Sequence, residues 1–368
     1  MITRIKAQSG AGVCEISVGS GALKNLKSEI RRCLRGTQFF VIYDANLYAL
    51  HGRAISRSLG SRARSVRELV VPSGERYKST GNLVGLYDFL LSEKIARDDL
   101  VLACGGGVTS DLTGYAAATT LRGIRWGVVT TTLLGMVDAA IGGKTGINHS
   151  TGKNLIGAFW QPSFVISDTN LLKTLPEREF VGGLGEVAKT VGLAGPGKVK
   201  LLERYLSSAG DQRERLLDEL IVVCARYKAS VVKRDEREAG LRAVLNFGHT
   251  FAHGIEHALG YGRMRHGEAV MLGLAAALAL GARKEYLDGS LGSYRALIDS
   301  LLTMLPRRKI DPEAVMEAMA LDKKRSRADQ KYVLLERPGK PVVCGGIAKR
   351  TARAALDEAL AAYSAARG

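Results

Sequence analysis

The sequence predicts two domains: an N-terminal α/β domain built on a mainly parallel sheet, and a mostly α-helical C-terminal domain. In the first half, short apolar runs alternate with helical stretches, the pattern of βαβ units. After about residue 176 the apolar residues recur at helical spacing instead. A chain of 368 residues is long enough for about two domains. We therefore predict domains over residues 1–175 and 176–368.

Four short apolar runs in the first half predict buried strands, at residues 38–43, 100–104, 125–129 and 164–166. Parallel sheets place their ligands at the carboxyl ends of the strands. The residues that follow the first three strands are Asp44, Gly105–Gly107 and Thr130–Thr132. We expect these side chains and glycines to line one edge of the sheet.

The second half predicts a series of helices and one late strand. The predicted helices cover residues 198–206, 213–233, 250–259, 267–286, 293–304, 312–320 and 348–365, and the predicted strand covers 331–335. We expect the active site in a cleft between the two domains.

Composition and charge exclude several classes of protein. The excess of 53 Lys+Arg over 36 Asp+Glu is spread along the chain, and the 6% of aromatic residues do not interleave with basic clusters, so we expect no nucleic-acid binding. The five scattered cysteines fit neither a disulfide framework nor a thiolate zinc site. The N-terminus lacks a secretory signal, and the apolar stretch 269–282 is too short to span a bilayer. We expect a cytoplasmic protein without membrane contact.

The segment 101–111 has the pattern of a strand, a glycine turn and the start of a helix. Glycines there allow backbone amides to approach a diphosphate, whose charge a helix N-terminus stabilises. Gly105 and Gly107 occupy the first two positions of a GxGxxG fingerprint, and Ser110 occupies the third. Alone this pattern fits a tight structural turn equally well. Together with Asp44 and the hydroxyls of Thr131 and Thr132, it is compatible with a dinucleotide site.

Three basic residues further along are candidates for binding an anion. Lys144 and Lys153 lie in segments that we interpret as glycine-rich loops, and Arg122 precedes Gly123. Their charges could hold a phosphate or a carboxylate. The alternative is that they are solvated surface side chains.

Histidine placement is the strongest signal for chemistry. Of six histidines, four lie between residues 249 and 266, and His249, His253 and His257 are spaced i, i+4, i+8 on one helical face. Two imidazoles and a carboxylate with an open position suit a catalytic zinc ion. The acidic candidates are Glu186, Glu256 and Glu268. From the sequence alone, the pairs 249/253 and 249/266 are equally natural, and acid–base work is an alternative to metal binding.

Taken together, these segments resemble the 3-dehydroquinate synthases, which belong to the sugar phosphate cyclases. The resemblance runs from about residue 42 to 343. It depends on four long strings: GGGVTSDLTGYAAATTLRGI, TTLLGMVDAAIGGKTGINHSTGKNLIGAF, DTNLLKTLPEREFVGGLGEVAKT and LNFGHTFAHGIEHALGYGRMRHGEAV.

The resemblance implies a Rossmann-like NAD-binding domain followed by a helical metal-binding domain. It implies NAD and a divalent metal, Zn²⁺ or else Co²⁺, acting on the phosphorylated carboxylate 3-deoxy-D-arabino-heptulosonate 7-phosphate. The products would be 3-dehydroquinate and phosphate, formed by transient oxidation, β-elimination of phosphate, re-reduction and an internal aldol closure in the shikimate pathway. The enzyme would be a carbon–oxygen lyase. The alternatives are a related cyclase, such as aminodehydroquinate synthase, and a metal-dependent polyol dehydrogenase.

The resemblance also assigns residues by motif. It implies metal ligands at Glu186, His249 and His266, leaves His257 without a role, and places His253 beside the substrate. The implied substrate-binding residues are Lys144, Asn154, Lys189, Lys228, Arg242, Asn246, Arg122 and one of Lys323 and Lys324, of which we choose Lys324. The implied cofactor-binding residues are Asp44, Glu75, Lys78, Gly106, Gly107, Val108, Asp111, Thr131, Thr132, Asp138, Lys144, Lys153, Thr174, Leu175 and Glu179.

The resemblance further implies a homodimer, because the matching arginine, Arg122, reaches the phosphate of the neighbouring subunit. Two positions depart from the family pattern. Ser110 replaces a common glycine, which could shift the diphosphate slightly. Gly185 replaces an alanine before the ligand glutamate, and we expect this change to weaken the local helix by up to about 1 kcal/mol.

Overall fold

In the computed structural model the described residues are 1–10, 12–59, 65–260, 262–284, 289–326 and 330–366. Contacts between residues divide the chain into two compact units. The first contains Met1–Pro176 and Lys228–Arg237, and the second contains Glu177–Tyr227 and Glu238–Gly368. The predicted domains, 1–175 and 176–368, did not separate residues 228–237 from the rest of the second half, and their limits stay a prediction.

A seven-stranded sheet forms the centre of the first unit, in the order β1-β2-β9-β6-β5-β3-β4. Its strands are β1 (Thr3–Ser9), β2 (Gly12–Val18), β3 (Gln38–Asp44), β4 (Ser65–Val71), β5 (Leu100–Gly105), β6 (Arg125–Thr130) and β9 (Phe164–Ser167). Only β1 and β2 pair antiparallel, and all other neighbours are parallel. The predicted α/β fold with a mainly parallel sheet is confirmed.

The four predicted strands form the buried middle of this sheet. Leu100–Gly105 is buried at every position, as a strand covered on both faces must be. The sequence analysis missed β1, β2 and β4, which lie at the two sides of the sheet. Exposed polar residues interrupt the apolar pattern in β1 and β4. The helices of this unit are α1 (Leu26–Cys33), α2 (Ala45–Leu59), α3 (Thr80–Ser92) and α4 (Gly107–Thr119).

A two-stranded hairpin corrects the interpretation of the lysine-bearing segments as loops. Strands β7 (Lys144–His149) and β8 (Gly152–Phe159) pair antiparallel, with Lys144 opposite Phe159. Gly146 and Gly157 lie opposite each other, and a Cβ on either would come within 2.4 Å of a carbonyl oxygen of the other strand. These glycines permit close strand pairing, which is why the segment looks like a loop in the sequence.

The second unit is mostly helical, as predicted. Its helices are α5 (Glu177–Ala194), α6 (Pro196–Leu206), α8 (His249–Leu259), α9 (His266–Ala282), α10 (Gly289–Leu302), α11 (Pro312–Ser326) and α12 (Lys349–Ala365), with the hairpin β10 (Tyr332–Arg337) and β11 (Lys340–Cys344). Helix α7 (Gly210–Arg234) belongs to this unit up to Tyr227. The predicted helix over 267–286 ends at Ala282, and residues 285 and 286 lie outside the described ranges.

Helix α9 packs closely on α5 and α8 because glycines face the neighbouring backbone. A Cβ on Gly267 would lie 1.7 Å from the carbonyl oxygen of Gly182, and one on Gly185 would lie 2.1 Å from that of Gly267. A Cβ on Gly273 would lie 2.1 Å from the carbonyl oxygen of Gly248. The sequence analysis expected Gly185 only to weaken the local helix. The structure shows a second effect, since this glycine also permits the close approach of α5 and α9.

Helix α9 is buried from Gly267 to Gly281 and, apart from Glu268, apolar over this range, so it forms the core of the second unit. Within the described ranges, no helix has both the length and the apolar character needed to cross a bilayer.

Candidate functional site

Three side chains in the second unit form a cluster suited to a metal ion. Glu186 lies within α5, while His249 and His266 are the first residues of α8 and α9. Glu186 Oε1 is 3.4 Å from His249 Nε2 and 3.5 Å from His266 Nε2. The close packing of α9 on α5 and α8 brings these three positions together.

The cluster fits a tetrahedral zinc ion. Bonds of about 2.1 Å separate two ligand atoms of such an ion by about 3.4 Å. Glu186 is 1% exposed, and its two oxygens accept no hydrogen bond of ordinary geometry from the described residues. A buried carboxylate is costly unless cations neutralise it; the Lys189 ammonium contacts Oε2, and a metal ion between Oε1 and the two imidazoles would complete the neutralisation. The residues present therefore fit the metal that the resemblance implies.

Charges around this cluster favour an ionised glutamate. Burial raises the pKa of Glu186, but the Lys189 ammonium and the two imidazoles hold that pKa well below its usual range. Lys189 is 2% exposed, and its Nζ contacts Glu186 Oε2. Burial and the charge of Lys189 lower the pKa of His249. The site therefore supplies an anionic oxygen and a neutral imidazole.

The outer nitrogens of the two imidazoles have different acceptors. His249 Nδ1 lies 3.2 Å from the carbonyl oxygen of Phe247, and His266 Nδ1 lies 3.1 Å from Glu256 Oε2. Although burial opposes the charged ring, Glu186 and Glu256 raise the pKa of His266 to about 10. The sequence analysis named Glu256 only as a nearby acid. Its position three residues after His253 gave no sign of this contact.

Other predicted residues of the second unit lie around the same helices. The exposed His253 ring lies 5.5 Å from the ring of His249, and His257 is also exposed. Arg242 is 1% exposed in the 3₁₀ helix Leu241–Asn246, at whose end Asn246 donates to Glu238. Glu179 forms a salt bridge with Arg265 at 2.7 Å.

In the first unit, the glycine turn lies where the ends of three strands meet. Gly106 is the N-cap of α4, and a Cβ on it would lie 2.9 Å from Thr132 Cγ2. A Cβ on Gly105 would lie 3.1 Å from that of Asp44, whose carboxylate accepts hydrogen bonds from the start of α2 and from Ser73. The turn is thus both a tight structural element and an open helix N-terminus.

The remaining residues predicted on this turn are close to it. Val108 is half-buried in the first turn of α4, and Thr131 donates its backbone N–H to the Gly105 carbonyl. The Ser110 hydroxyl turns inward and donates to the Gly107 carbonyl at 3.0 Å. This bond keeps the hydroxyl away from the backbone amides at the helix start.

A buried lysine connects α4 to the hairpin. Lys78 is 4% exposed, and its ammonium contacts both Asp111 and Asn154. Burial raises the pKa of Asp111, against the charges of Lys78 and Lys228. Asn148 accepts the backbone N–H of Asn154 and donates to Glu75 at 2.7 Å. The sequence analysis missed Asn148, which no motif distinguished from other polar residues.

The other predicted residues of the first unit are more dispersed. Lys228 contacts both the side chain and the carbonyl of Asp138, at 2.7 and 2.8 Å. Lys144 is exposed and Lys153 is half-buried on the hairpin. The hydroxyl of Thr174 lies 2.6 Å from His51 Nε2, and Leu175 follows it at the end of a 3₁₀ helix.

Two predicted residues need separate mention. Arg122 is exposed, with a positive φ of 66° next to Leu121 at 50°. The side chains of Lys323 and Lys324 lie outside the described part of the structure, so the choice between them stays a prediction.

Comparison with known proteins agrees with the geometry. The sequence profile of the 3-dehydroquinate synthase N-terminal part matches residues 68–182, and that of the C-terminal part matches residues 183–325. The chain is 40% identical to 3-dehydroquinate synthase of Geobacter metallireducens over 317 residues, which cover 86% of this chain and 88% of that protein.

Solved structures agree as well. A 2-deoxy-scyllo-inosose synthase with carbaglucose-6-phosphate, NAD⁺ and Co²⁺ superposes with a TM-score of 0.86 and 25% identity, covering 97% of this chain and 99% of that one. A 2-epi-5-epi-valiolone synthase from Streptomyces hygroscopicus with NAD⁺ and Zn²⁺ has a TM-score of 0.82 and 26% identity, covering 95% and 97%. The matched profiles cover most of the chain, which therefore belongs to the 3-dehydroquinate synthase family.

Proposed function

We propose that this protein is a 3-dehydroquinate synthase that converts 3-deoxy-D-arabino-heptulosonate 7-phosphate to 3-dehydroquinate and phosphate, using NAD⁺ and a divalent metal. The observation that carries the proposal is the Glu186–His249–His266 cluster in a chain of this family. Its three ligand atoms lie within 4.8 Å of one another on three separate helices.

Glu186, His249 and His266 are the proposed metal ligands. When bound, the metal lowers the pKa of a substrate hydroxyl and NAD⁺ accepts and later returns a hydride, so that no net oxidation occurs. The chain's own task is to hold the reacting carbon and to move protons. We assign proton exchange with the substrate to His253, which is exposed beside the two ligand imidazoles.

Cationic side chains of the second unit are suited to binding an anionic substrate. The guanidinium of Arg242 and the ammonium of Lys189 are both almost fully buried in this unit, as binding a carboxylate or a phosphate requires. We assign Arg242 and Asn246 to the substrate carboxylate, with Lys144, Asn154, Lys228 and Lys324 as further substrate contacts. Binding of a carboxylate would distinguish this protein from cyclases whose sugar phosphate substrates lack one.

The edge of the parallel sheet is the proposed NAD site. The start of α4 at Gly106 and Gly107 offers backbone N–H groups to a diphosphate, and the ends of β3 and β6 flank it with Asp44 and Thr131–Thr132. The pairs Lys78–Asp111 and Lys228–Asp138 are proposed to border the same site. Glu75, Val108, Lys153, Thr174, Leu175 and Glu179 complete the proposed cofactor contacts.

We also propose a homodimer in which Arg122 contacts the substrate of the neighbouring subunit. Leu155, Phe159 and Leu121 are 56%, 43% and 36% exposed, and a dimer interface would cover such large apolar side chains. Trp160, which follows β8, donates to the Ile124 carbonyl at 2.9 Å, so that Arg122 lies near this strand. Coexpression of Arg122→Ala with Glu186→Ala tests the arrangement. In a mixed dimer, the subunit with intact Glu186 receives Arg122 from its partner, so roughly a quarter of all sites should be active. Absence of any activity would contradict the proposed arrangement.

Phosphate release from the heptulosonate phosphate tests the proposed function. Release should require both NAD⁺ and metal, and it should stop after chelation and return with Zn²⁺ or Co²⁺. A sugar phosphate without the carboxylate is the matched control, and we expect little release from it. A preference for the sugar phosphate without the carboxylate would identify a different cyclase. Accumulation of NADH with a polyol would identify a dehydrogenase.

A further inference from the structure

The proposed ligand His266 contacts a different carboxylate through each ring nitrogen. Nε2 faces Glu186 Oε1 at 3.5 Å, while Nδ1 lies 3.1 Å from Glu256 Oε2. The second distance is that of a direct hydrogen bond. We interpret this contact as a hydrogen bond rather than as part of a second metal site, although the ligand atoms of His253, Glu256 and His266 lie within 4.8 Å of one another.

Glu256 is in a position to determine which nitrogen of His266 carries the proton. An ionised carboxylate can only accept a hydrogen bond, so Nδ1 carries a proton, and in the neutral ring that a metal ion requires Nε2 is the nitrogen with the lone pair. Glu256 is 3% exposed, which limits the movement of its side chain. A carboxylate that accepts from a ligand histidine orients the ring and strengthens it as a ligand.

His249 has the corresponding arrangement with a backbone acceptor. Its Nδ1 lies 3.2 Å from the Phe247 carbonyl, and its Nε2 faces the same oxygen of Glu186. Glu256 lies seven residues after His249, two turns along the same helix. Helix α8 thus supplies one proposed ligand and the acceptor that orients the other.

We propose that Glu256 is a positioning residue for the metal site: it holds His266 with Nε2 directed at the ion and raises metal affinity without binding the ion itself. This inference rests on the proposed function, because it requires Glu186, His249 and His266 to bind the metal.

Zinc affinity of the full-length protein, measured by competition with a chelator, tests this role. Glu256→Leu removes the acceptor, and we expect the Zn²⁺ dissociation constant to rise by about 10- to 100-fold. Glu256→Gln keeps an acceptor oxygen without the charge, so its loss should be smaller. The matched control is Glu29→Gln, which removes another buried carboxylate charge, one paired with Arg32 in the first unit. Its dissociation constant should equal that of the parent.

The outcomes separate this inference from the proposed function. If the parent protein binds no Zn²⁺, the proposed function fails. If the parent binds Zn²⁺ and both Glu256 variants bind it equally well, the positioning role alone is overturned, even if the variants unfold at lower temperature. If Glu256→Leu does not fold, Glu256→Gln decides the question. The visible spectrum of the Co²⁺-loaded variants should also differ from that of the parent, since the ligand ring reorients.

Discussion

Replacing Gly267 with alanine tests how the close packing of α5 and α9 supports the metal site. The added Cβ would lie 1.7 Å from the Gly182 carbonyl oxygen, far below the 3.0 Å that real Cβ atoms respect. The obstacle is backbone rather than a side chain that could rotate. The two helices must therefore separate by roughly 1 Å in a close-packed interior.

We expect Gly267→Ala to cost about 3 kcal/mol of stability, at the upper end of ordinary overpacking. His266 directly precedes Gly267, and metal–ligand distances tolerate only about 0.2 Å. Displacement of its turn should therefore weaken Zn²⁺ binding by more than about 10-fold. Urea unfolding in the presence of chelator measures the first effect, and chelator competition measures the second.

Gly182→Ala is the matched control on the other side of the same contact. A Cβ there would lie 3.7 Å from Arg265 Cβ, an ordinary packing distance. Because alanine is a better helix former than glycine, this variant should be as stable as the parent or up to about 1 kcal/mol more stable. If Gly267→Ala matched the control in both stability and Zn²⁺ affinity, the proposed link between packing and the metal site would be wrong.

Three further predictions concern the site itself. Glu186→Ala, His249→Ala and His266→Ala should each remove bound metal and abolish turnover, measured by metal analysis and phosphate release; retention of stoichiometric metal would refute the ligand set. Arg242→Ala should raise KM for the phosphorylated substrate while leaving NAD⁺ affinity intact, and an equal loss of both would contradict its role. In metal-free protein the pKa of His266 is raised to about 10, so its protonated ring stabilises the fold. This contribution is complete below about pH 6.5, the pKa of a histidine in the unfolded chain, and it is lost as the pH rises toward 10. His266→Gln should remove this part of the pH dependence of unfolding, and an unchanged profile would show that His266 is not its source.

Much of the fold could be predicted from the sequence because the buried parts carry strong patterns. The middle strands of the sheet are continuous apolar runs, and helices α6, α8 and α12 of the second unit have a regular apolar spacing. Strands β1 and β4 were missed because exposed polar residues interrupt their pattern. The β7–β8 hairpin was missed because the glycines that permit close pairing also look like loop residues.

The candidate site, like the fold, could be predicted only in part from the sequence. The histidine cluster was evident, but residues alone left the pairs 249/253 and 249/266 open, because spacing along one helix says nothing about a second helix. The contact of His266 with Glu256 depends on how α9 meets α8, which no local pattern encodes. The resemblance selected His249 and His266, and the structure brings these two imidazoles onto the same oxygen of Glu186.

The most direct test of the central claim follows phosphate and NADH together while substrate is in large excess over enzyme and NAD⁺. The proposed chemistry returns each hydride before product leaves. Many equivalents of phosphate per NAD⁺ should therefore appear while NADH absorbance stays at its baseline. Stoichiometric growth of NADH, or undiminished phosphate release from fully metal-free protein, would contradict the account.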